Sequence, residues 1–124
     1  NHMTATGPDF VALQVRDLDR AAAFYETRLG LRRAPAAPPG AVVFATSPIP
    51  FAVREPLPGV DLDEVSPHPG VGVALWLHCD SSANLHDSLV EAGVPILRAP
   101  EPGPFGVAFT FVDPDGYAVT VHDG

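Results

Sequence analysis

The chain has 124 residues, enough for one domain with a hydrophobic core of its own. Its formal net charge of −8 opposes binding to nucleic acids and to anionic membranes, and it favours a cationic ligand. All seven basic residues are arginine, which excludes chemistry that needs a lysine, such as Schiff-base formation. The single cysteine excludes an internal disulfide and a zinc site built from several thiolates.

The sequence contains no pattern that predicts a membrane-spanning or export segment. No apolar run approaches the roughly 20 residues that span a bilayer, and no signal-peptide pattern is present, so we expect a cytoplasmic protein. Residues 1–3, Asn-His-Met, have the character of a cloning-vector remnant, and His2 is therefore left out of ligand arguments.

The first half of the chain predicts a strand, a helix and three further strands. Asp17 provides an N-cap for the helix, and Gly30 ends it. Within the helix, apolar side chains recur at the spacing of one helix face. The predicted strands are 10–15, 31–34, 41–46 and 51–55.

The same order of elements repeats after an acidic linker at 56–70, which is rich in Pro and Gly and is expected to be mobile. Caps at 80–82 and Gly93 delimit a second helix. The turn Asp113-Pro114-Asp115-Gly116 joins the last two strands into a β-hairpin. The predicted strands of this half are 71–79, 94–98, 106–112 and 117–122.

Two helices and about eight strands in this order predict an α+β protein. It is built from two βαβββ modules, residues 4–55 and 71–124, within one structural domain.

Three parts of the sequence together resemble the vicinal oxygen chelate superfamily, which holds glyoxalase I, extradiol dioxygenases, fosfomycin-resistance enzymes and bleomycin-resistance proteins. They are Val11–Asp19, the pair Phe24-Tyr25 with Leu29-Gly30-Leu31, and Phe111–Tyr117. The resemblance covers about residues 10–123. It implies that the two modules form a cupped eight-stranded mixed sheet, and that the cup holds either a metal or a ligand.

The resemblance also implies where the metal ligands of the enzymes would fall in this chain. The matching positions are Phe10, Ala74, Thr120 and either Arg54 or Ala52. Phe and Ala carry no donor atom, Arg repels a divalent cation, and Thr is a poor neutral ligand. We therefore predict no metal site at these positions and no other cofactor.

A relocated metal site is an alternative. His78 and His122 fall on the same strand faces as Ala74 and Thr120, because side chains along a strand alternate with a period of two. Adding Glu55 would give two His and one carboxylate, the composition of a non-haem iron site. Glu55, however, falls on the opposite face from Arg54, so we favour the interpretation that the two His are polar residues at the cup rim.

The same alternation predicts which side chains face the inside of the cup. They mix small, aromatic and polar residues, a balance that small-molecule pockets need. The set is Phe10, Ala12, Gln14, Ala52, Arg54, Trp76, His78, Ala108, Thr110, Ala118, Thr120 and His122. Trp76 is either a stacking platform or part of the core, and Arg54 is either a counter-ion for a ligand or a salt-bridge partner.

Phe105 is also predicted to bind a ligand, because the stretch Pro104-Phe105-Gly106-x-x-Phe109 resembles a Pro-Trp-Gly-x-x-Phe stretch of bleomycin-resistance proteins. The resemblance implies that this aromatic helps to hold a drug in a groove between two subunits. The predicted ligand-binding residues are Phe10, Gln14, Arg54, Trp76, His78, Phe105, Thr110, Thr120 and His122. Cys79 is predicted to be a buried structural thiol on the helix-facing side.

The resemblance implies a metal-free binding protein of the bleomycin-resistance type, rather than an enzyme. It would be a homodimer that sequesters a small aromatic or cationic molecule, such as an antibiotic. Two alternatives stay open: a metal-dependent lyase or dioxygenase of the same superfamily with a displaced site, and a metal-free enzyme with His78 or His122 as general base. The sequence names neither the ligand nor whether modules pair within or between chains.

Overall fold

The computed structural model describes residues 3–124, which contain two helices and seven strands, so the predicted α+β class is confirmed. Asn1 and His2 of the predicted vector remnant lie outside the described residues. The elements are β1 (Val11–Gln14), α1 (Leu18–Arg28), β2 (Ala41–Phe44), β3 (Phe51–Arg54), a 3₁₀ helix (Leu62–Glu64), β4 (Leu75–His78), α2 (Ser82–Glu91), β5 (Ile96–Gly103), β6 (Gly106–Val112) and β7 (Ala118–His122). Neither helix of this described range is long and apolar enough to cross a bilayer.

The strands form two sheets, one in each of two compact units. The first unit runs to Val60 and holds a three-stranded sheet in the order β1-β3-β2. The second unit, Asp61–Gly124, holds a four-stranded sheet in the order β4-β7-β6-β5. In both sheets the strand before the helix pairs in parallel with the last strand of the unit, as expected of a repeated module.

The first unit is organised around an aromatic core beneath α1. The Asp17 carboxylate accepts the N–H of Arg20 at 3.1 Å, which confirms the predicted N-cap. The Tyr25 ring of α1 then packs against Phe44 and Phe51, with centroid separations of 6.3 and 5.0 Å. These three side chains are buried, and they tie α1 to one face of the first sheet.

The strand predicted at 31–34 is reduced to a single bridge between Arg33 and Phe44. It is flanked by backbone hydrogen bonds of 2.8 Å from Ala34 to Val43 and from Ala45 to Arg32. The segment therefore lies beside β2 as expected, but Pro35 follows at once, and a proline has no N–H to continue a ladder. This is why the predicted eight strands become seven.

In the second unit, one face of the sheet is buried beneath α2. Side chains of β6 and β7 alternate, and the buried set is Phe109, Phe111, Val119 and Val121, together with Leu89 of α2. The opposite side, which we call the outer face, carries Trp76, Thr110 and Thr120, as the period of two predicts.

The hairpin turn predicted at 113–116 is confirmed. One carboxylate oxygen of Asp113 accepts the N–H groups of Asp115 and Tyr117, at 2.9 and 3.0 Å. The N–H of Gly116 donates to the Asp113 carbonyl at 3.0 Å. Asp113 is 4% exposed, so its carboxylate satisfies donors that water cannot reach.

Residues 61–70, the second half of the predicted linker, belong to the second unit. Leu62, in the 3₁₀ helix, is buried. A Cβ added to Gly70 would lie 3.1 Å from the Tyr117 ring, and one added to Gly116 would lie 3.5 Å from Pro69. Pro69 and Gly70 thus lie against the end of the hairpin that carries the 113–116 turn.

The Asp123 carboxylate joins three elements of the second unit. It accepts the N–H of Ser82 at the start of α2 at 3.0 Å and the N–H of Val107 in β6 at 2.8 Å. Gly106 has a φ of +80°, and a Cβ there would lie 2.5 Å from both Asp123 Oδ1 and Gly124 N, so only glycine fits. The backbone N–H of Ser82, followed by that of Val107, lowers the pKa of Asp123 below its ordinary value of 3.8.

Replacing Asp113 by alanine should lower the free energy of unfolding by about 2–3 kcal/mol, because two buried N–H groups lose their acceptor. Asp113→Asn is the matched control, since its amide oxygen can still accept both bonds. Urea unfolding of the two variants measures the difference. Equal losses would show that these hydrogen bonds do not hold the turn.

Asp123 should contribute a pH-dependent part of the stability. Because its folded pKa is depressed, this contribution is present above a pH of about 4 and is lost as the pH falls through the folded value. Urea unfolding of the native chain and of Asp123→Asn should therefore show a stability gap that is constant near neutral pH and narrows below about pH 4. A gap that stays the same down to acid pH would contradict this account of Asp123.

Candidate functional site

The outer face of the second sheet presents two rows of side chains in strand register. Trp76, Thr120, Thr110 and Arg98 form one row, and His78, His122, Ala108 and Glu101 form the next. Each row runs from β4 at one edge of the sheet to β5 at the other. At a strand spacing of about 4.8 Å, the first and last residues of a row are about 14 Å apart.

Four rings cluster at the β4 side of this face. The Trp76 ring lies 5.9 Å from Phe105 and 5.7 Å from His122, and the His122 ring lies 5.5 Å from His78. The pairs are edge-to-face, a favourable geometry for rings. Trp76 is nevertheless 47% exposed and Phe105 57% exposed. The cluster is thus ordered by its own contacts and leaves aromatic surface open to a ligand.

A pocket of about 530 Å³ adjoins the cluster on the same face. Its walls include Trp76 and Phe105 on one side and Arg98 and Glu101 on the other, and all belong to the second unit. The volume lies within the range of about 300–1,000 Å³ that is usual for small-molecule sites.

The floor of the pocket carries two hydroxyl groups from neighbouring strands. Thr110 Oγ1 and Thr120 Oγ1 lie 2.8 Å apart and share one hydrogen bond. Each hydroxyl has one proton and two lone pairs, so the pair keeps further capacity for hydrogen bonds. Ala108 beside them is small and leaves room above the sheet.

The hydrogen-bond partner of the His122 ring identifies its tautomer. Its Nδ1 lies 3.3 Å from the carbonyl oxygen of Phe105. A carbonyl can only accept, so Nδ1 donates the hydrogen. In neutral His122, Nε2 then holds the lone pair and can accept a hydrogen bond or a proton from a ligand.

The structure brings six of the nine predicted ligand-binding residues together on this face. They are Trp76, His78, Phe105, Thr110, Thr120 and His122. The other three lie in the first unit. Their roles, like those of the six, stay predictions.

In the first unit, Gln14 and Arg54 are paired in register on neighbouring strands, and Phe10 precedes β1 and is 51% exposed. Gln14 Oε1 accepts the N–H of Leu57 at 2.8 Å. Arg54 Nε donates to the carbonyl of Glu55 at 3.0 Å. The guanidinium is thus partly engaged with its own backbone.

Sequence reasoning missed Arg98 and Glu101. The strand was predicted to end at residue 98, but β5 continues through Pro100 and Pro102 to Gly103. It can do so because β5 is the edge strand of its sheet, where a missing N–H breaks no inner ladder. Two register shifts, between Ile96 and Arg98 and between Arg98 and Glu101, mark β-bulges that no local pattern announced.

Cys79 is half-buried rather than buried, because it follows β4 at the point where the chain leaves the sheet for α2. Its Sγ lies 3.5 Å from the Ser82 hydroxyl. It lies outside the pocket lining described above.

The residues at the metal positions of the family do not fit a divalent ion. Phe10 and Ala74 offer no donor, and Arg54 carries a positive charge. The Thr120 hydroxyl is hydrogen-bonded to Thr110. For the relocated set, His78 and His122 are neighbours in the second unit, whereas Glu55 belongs to the first and lies beside Gly40. Within each unit of the described chain, no group of three or more His, Cys, Asp or Glu could hold a metal.

Comparison with known proteins agrees with this architecture. Lactoylglutathione lyase from Agrobacterium tumefaciens is 24% identical, with a TM-score of 0.69 over 97% of this chain and 95% of that one. TnmS3, an antibiotic binding protein from Streptomyces sp. CB03234, is 22% identical, with a TM-score of 0.74 over 98% of both chains. The fosfomycin resistance protein FosX from Listeria monocytogenes is 18% identical, with a TM-score of 0.71 over 98% of this chain and 95% of that one. At these identities the likeness shows the fold.

No curated protein matches the chain. A family model, in contrast, matches residues 7–121, which is nearly the whole sequence. The chain belongs to the Glyoxalase/Bleomycin resistance protein/Dioxygenase superfamily.

Proposed function

We propose that this chain binds and sequesters a small aromatic molecule on the outer face of its second sheet without altering it. The observation that carries the proposal is the exposed ring surface of Trp76 and Phe105 beside a pocket of about 530 Å³. Exposed apolar surface that adjoins a pocket marks an interaction site more often than a chance feature. Flat rings would stack there, and the two threonine hydroxyls would orient them.

The electrostatics of the second unit support a ligand that carries a positively charged group. Residues 61–124 contain ten Asp and Glu against one Arg, a formal charge of −9, whereas residues 1–60 contain five acidic residues and six Arg. A surface with this field attracts cations and repels anions. The pocket therefore lies on the acidic half of the chain.

The family resemblance supports a binding role and does not exclude a catalytic one. TnmS3, which shares the fold, is an antibiotic binding protein, and antibiotic sequestration is the role that we propose for this chain. Lactoylglutathione lyase shares the fold too, but the family's metal positions in this chain lack suitable ligands. On the resemblance alone, we also propose that the protein works as a homodimer.

One observation favours an enzymatic alternative. The lone pair on Nε2 of neutral His122 points to a second role, in which this residue takes a proton from the bound molecule. Such a reaction would need no metal. It would leave a changed product, which separates it from simple binding.

Trp76→Ala should weaken the binding of an aromatic ligand about tenfold or more, because stacking and buried area are lost together. The compound would come from a library of aromatic compounds that carry an ammonium group, and isothermal titration would give its Kd. Val90→Ala is the matched control, since Val90 is also half-exposed but lies on α2, across the sheet from the pocket. An unchanged Kd in Trp76→Ala would place the binding elsewhere.

The bound compound should be recovered unchanged after prolonged incubation, with or without added manganese, iron, nickel or zinc. Mass spectrometry would follow the compound, and elemental analysis should find less than about a tenth of an equivalent of metal per chain. Product formation that His122→Gln abolishes, with binding retained, would establish the enzymatic alternative instead. A full equivalent of metal would contradict the metal-free proposal.

A further inference from the structure

The pocket has opposite chemistry at its two sides. We propose that its ligands are elongated aromatic molecules whose far end carries both a carboxylate and an ammonium group, as an amino acid does. The ring would stack at the β4 side, and the zwitterionic end would lie between Arg98 and Glu101 at the β5 side. This inference rests on the proposed function and narrows the class of ligand.

The strand register sets the length of such a molecule. Trp76 and Arg98 end the same row of the outer face, about 14 Å apart across three strand spacings. Between them in that row lie Thr120 and Thr110, whose hydroxyls are hydrogen-bonded to each other. A ligand that reaches both ends must therefore be longer than a single ring.

The β-bulges of β5 place both charges beside the pocket. In a regular strand, residues three apart point to opposite faces, so Arg98 and Glu101 would be separated by the sheet. The register shift between them pairs Arg98 with Thr110 and Glu101 with Ala108, which are both outer-face residues. The Cα atoms of the two residues consequently lie in adjacent rows, about 7 Å apart along the strand direction. From these positions, the two long side chains can reach a carboxylate and an ammonium group on one carbon atom between them.

The charge around the pocket makes a ligand with a single charge a poorer fit. Arg98 is the single Arg or Lys in residues 61–124, and it stands at the pocket wall beside Glu101. An anion would meet Glu101 and the acidic field of the unit, and a cation would meet Arg98. A guanidinium binds a carboxylate with two parallel hydrogen bonds, and the Glu101 carboxylate accepts from an ammonium group. A zwitterion satisfies both side chains at once.

Four probes with one ring system test the assignment by isothermal titration at neutral pH. They are biphenylalanine, its N-acetyl derivative, biphenylethylamine and biphenylethanol, which present a zwitterion, an anion, a cation and a neutral group. We expect biphenylalanine to bind about tenfold tighter than each of the other three, because each loses at least one charged hydrogen bond.

Two variants localise the effect. Arg98→Gln should weaken biphenylalanine binding about tenfold and remove its advantage over biphenylethylamine. Glu101→Gln should also weaken biphenylalanine binding about tenfold, and it should remove the advantage of biphenylalanine over the N-acetyl derivative. Glu91→Gln removes the same charge from α2, on the other side of the sheet, and should change nothing.

The outcomes separate this inference from the proposed function. Equal affinities for all four probes, still reduced by Trp76→Ala, would overturn the zwitterion class and leave aromatic binding intact. A zwitterion preference that survives in both variants would overturn the assignment to Arg98 and Glu101. Failure of these probes while other aromatic compounds bind would overturn the class, and failure of every aromatic compound would overturn the proposed function as well.

Discussion

The second unit depends on one carboxylate. Asp123 holds the start of α2 through Ser82 and the start of β6 through Val107, and its charged form is favoured by those same N–H groups. The next residue, Gly124, donates its N–H to the carbonyl of Phe105 at 2.9 Å, and His122 Nδ1 donates to that oxygen too. The end of β7 thereby fixes the turn between β5 and β6. Because that turn carries Phe105, the same contacts that close the sheet also complete the aromatic cluster.

The alternation of side chains lets one sheet serve stability and binding separately. Phe109 and Phe111 pack beneath α2 on the buried face, while Thr110 between them faces the pocket. Trp76 on the outer face is 47% exposed, so its identity can change with the ligand at small cost in stability, whereas Thr110 is only 6% exposed.

Local signals were enough to predict most of the fold and part of the site. The Asp113 turn and the Asp17 cap are made by residues close in sequence, and the period of two placed Trp76 and the threonines on one face. The predicted strand 31–34 forms only a single bridge, because Pro35 has no N–H to continue the ladder. Arg98 and Glu101 were missed because their placement depends on bulges in an edge strand, which only the paired strand reveals. The Asp123 contacts could not be predicted either, since they join residues 41 and 16 positions apart in the chain.

The most direct test of aromatic binding at this face uses the indole N–H resonance of Trp76, the single Trp of the chain. Proton–nitrogen correlation spectra would be recorded during titration with an aromatic compound that binds in calorimetry. We expect the indole signal to shift together with the backbone amides of Phe105 and Thr120, with saturation at the calorimetric Kd. Saturable shifts confined to residues of α2, with the indole signal unmoved, would contradict it.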